Sequence, residues 1–210
     1  MLLAIDTSAG TSVAVVDRDL GVIAERTSPD TRRHAEVIGT FIRDCLAESG
    51  VAISSLSGVA AGMGPGPFTG LRVGIAAAQA FALGSGKPIV RVISHDAVAF
   101  ARYAEGGSGR LLVVTDARRR EVYWSAYRGV DSVGLPERSA GPGLARPDEL
   151  PAIVPDYDDY PRLDVSEVSA GSLGMLAERM FEHGRPFAGE TPLYLRSPDV
   201  TVSAGPKRVS

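Results

Sequence analysis

Apolar and polar positions alternate in blocks along the chain, and the blocks change period. Residues 2–16, LLAIDTSAGTSVAVV, are two apolar runs separated by a Thr/Ser/Ala/Gly stretch, which predicts a β-hairpin. Residues 22–27 add a third short strand. Asp30 or Thr31 stands where a helix cap is expected, and the helical pattern then runs to about Ser49, stopped by Gly50. Val59 to Met63 is a short buried strand that enters the turn Gly64-Pro65-Gly66-Pro67. A second helix is predicted from about Thr69 to Leu83, ended by Gly84, Ser85 and Gly86. Ile89 to Ile93 forms a further strand, and Ser94 or His95 caps a third helix through about Tyr103. The predicted order is βββαβαβα.

Glu105 to Gly109 is glycine-rich and marks a boundary. Beyond it LLVVTDARRREVYWSAY, residues 111–127, repeats the opening plan: apolar strand, terminal Asp, polar turn, return strand. The repeat is weak in sequence, but it starts each half of the chain. From Val130 to Pro192 the pattern fades into Pro-rich loops with one helix, roughly Ala170 to His183. The expected organisation is an N-terminal lobe over residues 1–107, a smaller C-terminal lobe over 108–200, and a flexible tail over 201–210.

Composition narrows the function classes. The chain has 210 residues, 44% hydrophobic and 22% charged, with net charge −3, which excludes disordered and collagen-like chains. Aromatics are only 6%, so Val, Ile, Leu and Ala must build the core. The acidic balance argues against a domain that grips nucleic acid unaided. The lone Cys45 allows no intrachain disulfide and fits a reducing compartment. No leader pattern opens the chain and no apolar run approaches ~18 residues, so a cytoplasmic location is expected and no membrane partner.

Candidate chemistry is thin. The G-x-x-x-x-G-K-[ST], H-E-x-x-H and G-x-S-x-G patterns do not occur. His34, His95 and His183 stand far apart, without metal-ligand spacing. Asp6 ends the first strand in the turn Asp6-Thr7-Ser8-Ala9. In phosphotransferases built on paired hairpins such an Asp holds a magnesium–phosphate group. Its other reading is a turn cap, and the turn lacks the glycine that lets a phosphate reach the backbone. Asp6, Thr7 and Ser8 are therefore read as a vestigial phosphate turn, and Asp116 likewise as a turn cap. No catalytic residue, cofactor site or metal site is assigned. Arg118-Arg119-Arg120 lies in a hairpin turn, either solvated or able to meet phosphate oxygens. Gly64-Pro65-Gly66-Pro67-Phe68-Thr69-Gly70-Leu71-Arg72 links a strand to a helix start. There Thr69 is in position to cap and the helix N-terminus to receive an anion.

The two first-half helices carry more apolar surface than one sheet needs. On the first, His34, Val37, Ile38, Phe41, Ile42, Cys45 and Leu46 cover about half the circumference. On the second, between Gly70 and Leu83, only Arg72 and Gln79 are polar. A helix apolar all round is expected to be buried all round, as a core helix or against another chain. The residues assigned to a partner interface are His34, Ile38, Phe41, Ile42, Cys45, Gly70, Leu71, Gly74, Ile75, Ala77, Ala78 and Phe81.

The opening strand pair, RRHAEVIGTFI, GPGPFTGLRVG, VVTDARRREVYW and PLYLR at 192–196 together resemble the bacterial TsaB family, also called YeaZ. Many members have Ser where this chain has Pro67. The resemblance covers Leu2 to Tyr127 and resumes at Pro192. It implies an α/β, two-lobed, actin-like ATPase fold with ribonuclease H-like mixed sheets flanked by helices. It also implies a role in forming N6-threonylcarbamoyladenosine in tRNA as a non-catalytic scaffold. The implied partners are a TsaD-like transferase bound through the first-lobe helices, a TsaE-like ATPase, and a second copy in isolation, with tRNA met only through the complex. TsaD uses histidines spaced for a metal, whereas His34 has no second histidine near it in sequence. The competing readings are an active enzyme of this fold, a small kinase or glycoprotease-like peptidase, and a direct RNA-binding module.

The separated histidines and single cysteine predict that the purified chain retains neither zinc nor iron. One equivalent of tightly held metal by elemental analysis would overturn this.

Overall fold

A computed structural model describes residues 1–196, so the expected tail at 201–210 lies outside the described residues. The first half forms β1 (Leu2–Asp6), β2 (Thr11–Asp17), β3 (Gly21–Ser28), α1 (His34–Ser49), β4 (Gly58–Gly62), α2 (Phe68–Ser85), β5 (Ile89–Val92) and α3 (Ser94–Ala104). Its five-stranded sheet has the order β3-β2-β1-β4-β5. β2 pairs antiparallel with both β1 and β3, while β4 runs parallel to β1 and to β5. The predicted order of elements is the observed one.

The second half forms β6 (Leu111–Asp116), β7 (Val122–Val130), β8 (Pro136–Ala145), α4 (Leu150–Ile153), β9 (Arg162–Val165) and α5 (Ala170–Glu182). Its sheet has the order β8-β7-β6-β9, with β9 parallel to β6. The sequence reading placed only loops where β8, α4 and β9 lie. β8 reads PERSAGPGLA and is an edge strand, where Pro is tolerated because one side of the backbone is unpaired. A Cβ at Gly143 would overlap the Trp124 ring on β7, so this glycine makes room for a large side chain.

Strand alternation sorts the core. Leu3, Ile5, Val13, Val15, Val59 and Ala61 face α1 and α2. Leu2, Ala4, Ala14, Val16 and Ala60 face the other way, toward α3 and α5. Leu111, Val113 and Tyr127 of the second sheet join that same cluster. Leu112, Val114 and Trp124, on its opposite face, pack with Leu150 and Val154. Gly174 of α5 sits on Val16 and Ala4, which lets this late helix lie flat on the first sheet. Its N-terminus is fastened by Glu25, whose Oε1 accepts from Ser169 Oγ (2.9 Å), Gly171 N (3.0 Å) and Ser12 Oγ (2.9 Å).

α3 ties the two sheets together through buried polar groups. His95 is fully buried, with Nδ1 2.9 Å from Ser125 Oγ and Nε2 2.9 Å from Thr115 Oγ1. Beside it Asp96 accepts from Tyr127 Oη (2.7 Å) and Arg138 (3.2 Å). Helix starts differ from the expected caps. α1 begins at His34 behind Arg33, α2 at Phe68 behind Pro67 and α3 at Ser94 behind Ile93, none with a side-chain cap. Asp30 instead accepts from Arg32 N (3.0 Å) in the preceding loop, and Thr69 is exposed inside the first turn.

Burial, and then the charge of Arg138, push the His95 pKa down from 6.5 to about 3. Between those values the unfolded chain binds a proton that the folded chain does not. The stability His95 contributes is therefore fully present above pH 6.5 and is lost as pH falls toward 3. Asp6 and Asp96, raised by burial, act in the opposite sense. The difference between the native chain and His95→Gln isolates the histidine. Denaturant titrations from pH 7 to 4 are expected to show a steeper loss for the native chain, and parallel curves would contradict the assignment.

Candidate functional site

The first turn presses onto the start of α2, and four glycines at intervals of four make this possible. A Cβ at Gly62 would overlap Asp6 Oδ2, and one at Gly74 would overlap Thr7 Oγ1. At Gly66 it would stand 2.8 Å from Ser8 Cα, and at Gly70 2.9 Å from the Thr7 carbonyl oxygen. Thr7 Oγ1 donates to that neighbouring backbone at Gly70 O (2.7 Å). The Gly64–Pro65 peptide between them is cis.

Asp6 is turned inward, 1% exposed. Oδ1 accepts from Ser8 N (2.8 Å) and Ser8 Oγ (2.6 Å), and Oδ2 from Ser94 Oγ (2.5 Å). Ser94 Oγ in turn accepts from Gly64 N (3.0 Å). Burial raises the Asp6 pKa, and the hydrogen bonds from Ser8 and Ser94 oppose that rise. The carboxylate clasps its own turn to β4 and α3. Ser94, which completes the clasp, was read from sequence only as a helix cap. Asp116, the matching position of the second hairpin, is exposed and accepts from Arg118 N (2.8 Å).

The two hairpin turns face each other across a cleft of about 870 Å³. Ser8, Thr31, Arg32, His34, Pro67, Phe68 and Gly70 line one wall, and Ala117, Arg118, Arg119, Tyr123 and Arg196 the other. Arg118, Arg119 and Arg120 all have left-handed backbones, with φ of 62°, 53° and 64°. Such φ values are costly for non-glycine residues and concentrate at functional turns. Arg118 donates across the cleft to Thr31 Oγ1. Arg196 pairs with Glu121 and reaches the Arg118 carbonyl (3.4 Å). Arg32, Tyr123 and Arg196 were not singled out from sequence, and Thr31 only as a candidate helix cap. Arg32 and Tyr123 lay inside the segments RRHAEVIGTFI and VVTDARRREVYW, and Arg196 ended PLYLR, whose Tyr194 ring packs tilted against Phe68 (4.7 Å).

The twelve residues assigned to a partner interface separate into two sets. His34, Ile38, Cys45, Gly70, Leu71, Gly74, Ile75 and Ala78 are buried in the chain's own interior. His34 belongs to the cleft wall, with Nδ1 2.8 Å from Thr11 Oγ1 and its pKa lowered by burial and then by Arg118. Cys45 donates to Val13 O (3.2 Å), and burial pushes its thiol up to about 11. Phe41, Ile42, Ala77 and Phe81 are half-buried against the α1–α2 core. The exposed side of α2 is Thr69, Arg72, Ala76, Gln79, Ala80 and Leu83, at helical spacing. The expectation of burial all round is therefore corrected. Alanines score as apolar in a sequence, but here they form a low outer ridge, with Leu83 86% exposed.

A family profile described as TsaD: tRNA N6-adenosine threonylcarbamoyltransferase matches residues 11–150. An uncharacterized protein of Mycobacterium tuberculosis is 39% identical over 208 residues, which is 94% of this chain and 92% of that one. The Escherichia coli tRNA threonylcarbamoyladenosine biosynthesis protein TsaB is 35% identical over 127 residues, 60% of this chain. The chain spans 54% of that relative. Among solved structures, a Pseudomonas aeruginosa protein described as similar to peptidase YeaZ is 30% identical with a TM-score of 0.75. That match covers 93% of this chain and 99% of the other. YeaZ from the same organism is 29% identical with a TM-score of 0.71, covering 87% and 92%.

The geometry at Asp6 predicts a stability defect. Asp6→Ala leaves the Ser8 and Ser94 donors without their acceptor, an expected loss of about 2 kcal/mol or more. Denaturant unfolding reports it, and an unchanged midpoint would show that the carboxylate is not the clasp.

Proposed function

The chain belongs to the TsaB/YeaZ family and has the two-lobed actin-like ATPase fold, and on that footing we propose that it is an accessory subunit in forming N6-threonylcarbamoyladenosine in tRNA. Its own part is to bind a TsaD-like threonylcarbamoyltransferase, with a TsaE-like ATPase joining the pair and tRNA met through the assembly. In isolation the same face holds a second copy. The setting is the cytoplasm, and no helix among the described residues is long and apolar enough to cross a membrane.

The outer ridge of α2 carries this reading. Ala76 and Ala80 let a partner backbone come close, and Leu83 supplies an exposed apolar side chain at the end of the row. Arg72, stacked on Phe68 at 5.0 Å, places a positive charge at the other end. The half-buried Phe41, Ile42, Ala77 and Phe81 lie behind the ridge. In this proposal residues 1–107 are the partner-binding lobe. The non-catalytic role is supported by the inward turn of Asp6: its carboxylate holds Ser8 and Ser94 and faces away from the cleft.

Charge on the ridge tests the proposal. Ala80→Arg and Leu83→Arg are expected to fold normally yet lose the TsaD-like partner in co-purification and fail in reconstituted threonylcarbamoylation. Ala78→Arg, at a fully buried position, is expected to unfold the chain, since a buried unpaired charge costs several kcal/mol. Circular dichroism reports the fold and sedimentation the assembly. Ridge variants that fold and still support the reaction would sink the proposal.

A further inference from the structure

We propose that the open edge of β9 takes up one further strand, an extended peptide of a partner protein that carries an arginine or lysine among β-branched residues. The two sheets give the first observation. In the first, β2 is antiparallel to β1, β3 to β2, and β4 lies parallel on the other side of β1. In the second, β7, β8 and β9 are arranged about β6 in the same way. The first sheet then continues to β5, parallel to β4 over residues 59–62. Among the described residues the second sheet ends at β9. The repeated plan therefore lacks one strand, and its place is beside β9. Backbone direction marks the same edge. Leu112 N donates to Pro161 O (2.9 Å), so by alternation the peptide groups of Leu163 and Val165 also turn toward β6. Those of Arg162, Asp164 and Ser166 turn outward. Sheets disguise such edges with prolines and bulges. β8, the opposite edge, has both: Pro136, Pro142 and three shifts of register. β9 keeps an unbroken register over Arg162–Val165.

A groove beside this edge sets the chemistry of the occupant. It holds about 320 Å³. Val114 and Val122, from the outer apolar face of the second sheet, form its floor, and Asp116, Asp164 and Ser166 stand around it. Small-molecule sites occupy about 300–1,000 Å³, so this groove suits one side chain. Asp164 is in register with Val114 and shares its face of the sheet. A residue of the added strand beside Asp164 or Ser166 presents its side chain to that face as well. Asp164 already holds Arg162 through two bonds (2.9 and 2.6 Å), so Asp116, which accepts from the Arg118 amide, is the carboxylate that meets an incoming cation. No cationic side chain among the described residues lines the groove. An aliphatic stem over two valines with a positive charge at its tip is the form of lysine and arginine. β5, Ile89–Val92, shows such a sequence beside β4: it reads IVRV. The surface lies in the second half of the chain and does not use the α2 ridge, so its test stands apart from that of the proposed function.

An NMR titration of the full chain with the capped peptide Thr-Ile-Val-Arg-Val-Thr tests it. The amides of Arg162, Asp164 and Ser166 are expected to shift, together with Val114 and Val122 at the groove. The same peptide N-methylated at the alternate positions that face β9 cannot make the backbone bonds. It is expected to bind about tenfold more weakly or worse. Asp164→Pro removes an outward amide without breaking the ladder to β6 and is expected to give the same loss. Asp164→Ala keeps that amide and is expected to lose less than about threefold. Asp116→Asn keeps an acceptor for the Arg118 amide; it is expected to weaken the arginine peptide about threefold and to leave a glutamine version unchanged. The N-methylated peptide keeps the test decisive even if Asp164→Pro does not fold. The proposal is overturned by shifts centred away from β9, by equal binding of the methylated peptide, or by equal affinity for the arginine and glutamine peptides. Self-association in sedimentation that Asp164→Pro abolishes would make the occupant a second copy of the chain and would overturn it too.

Discussion

The architecture rests on the close approach of the Asp6–Ser8 turn to the backbone at Gly62, Gly66, Gly70 and Gly74. Any side chain at these positions would collide with Asp6, Ser8 or Thr7. Their lack of side chains sets how deeply the first hairpin sits against α2. That depth places Asp6 in reach of Ser94, so the end of β1, the end of β4 and the start of α3 are joined through one carboxylate. A buried carboxylate is tolerable only with such partners. Asp6 has three donors, two from Ser8 and one from Ser94. The groups that hold it inward are its own turn and α3.

A second constraint couples the halves. α5 comes late in the chain but lies on β1 and β2, with Gly174 against Val16 and Ala4. α3 comes from the first half but is bonded to β6 and β7 through His95 and to β7 and β8 through Asp96. The two sheets thus share one apolar cluster rather than meeting at a wet seam. The polar groups inside that cluster give it direction. His95 is satisfied at both nitrogens only when Thr115 and Ser125 are in register, so the pairing of β6 with β7 is read by a helix of the other half.

What the sequence revealed follows from where its signals were strong. The first eight elements have sharp apolar blocks and glycine stops, and the structure has them in that order. β8 and β9 were illegible because each is an edge strand. β8 carries Pro136, Gly141, Pro142 and Gly143, and β9 has only the four residues RLDV. The face of α2 was misjudged because alanine counts as apolar wherever it stands, so periodicity could not separate Ala78, fully buried, from the exposed Ala76 and Ala80. The glycines of GMGPGPFTGLRVG were visible, but their purpose was not. Close approach depends on the residue that approaches, and that residue lies about 60 positions away in sequence. Arg118 was visible in its hairpin turn, but that Arg32 and Arg196 join it was hidden for the same reason, since the three come from separate segments.

The two hairpin turns repeat one plan in sequence and take opposite roles. The first turns its carboxylate inward and forms a rigid floor, sealed by glycines and serines. The second keeps its Asp116 at the surface as a turn cap and places three consecutive arginines in left-handed conformations. Glycine would adopt those conformations with less strain, so the side chains are retained against a backbone penalty. Strain of that kind persists where surrounding contacts over-determine it. Here the contacts are the Arg118 bond to Thr31 across the cleft, the Arg196 bond to the Arg118 carbonyl, and the Glu121 pair beneath. Arg118 therefore joins the two walls of the cleft through Thr31. The rigid first turn and the strained second turn thus stand as the facing walls of one cleft, held at a fixed spacing by the bond between Arg118 and Thr31.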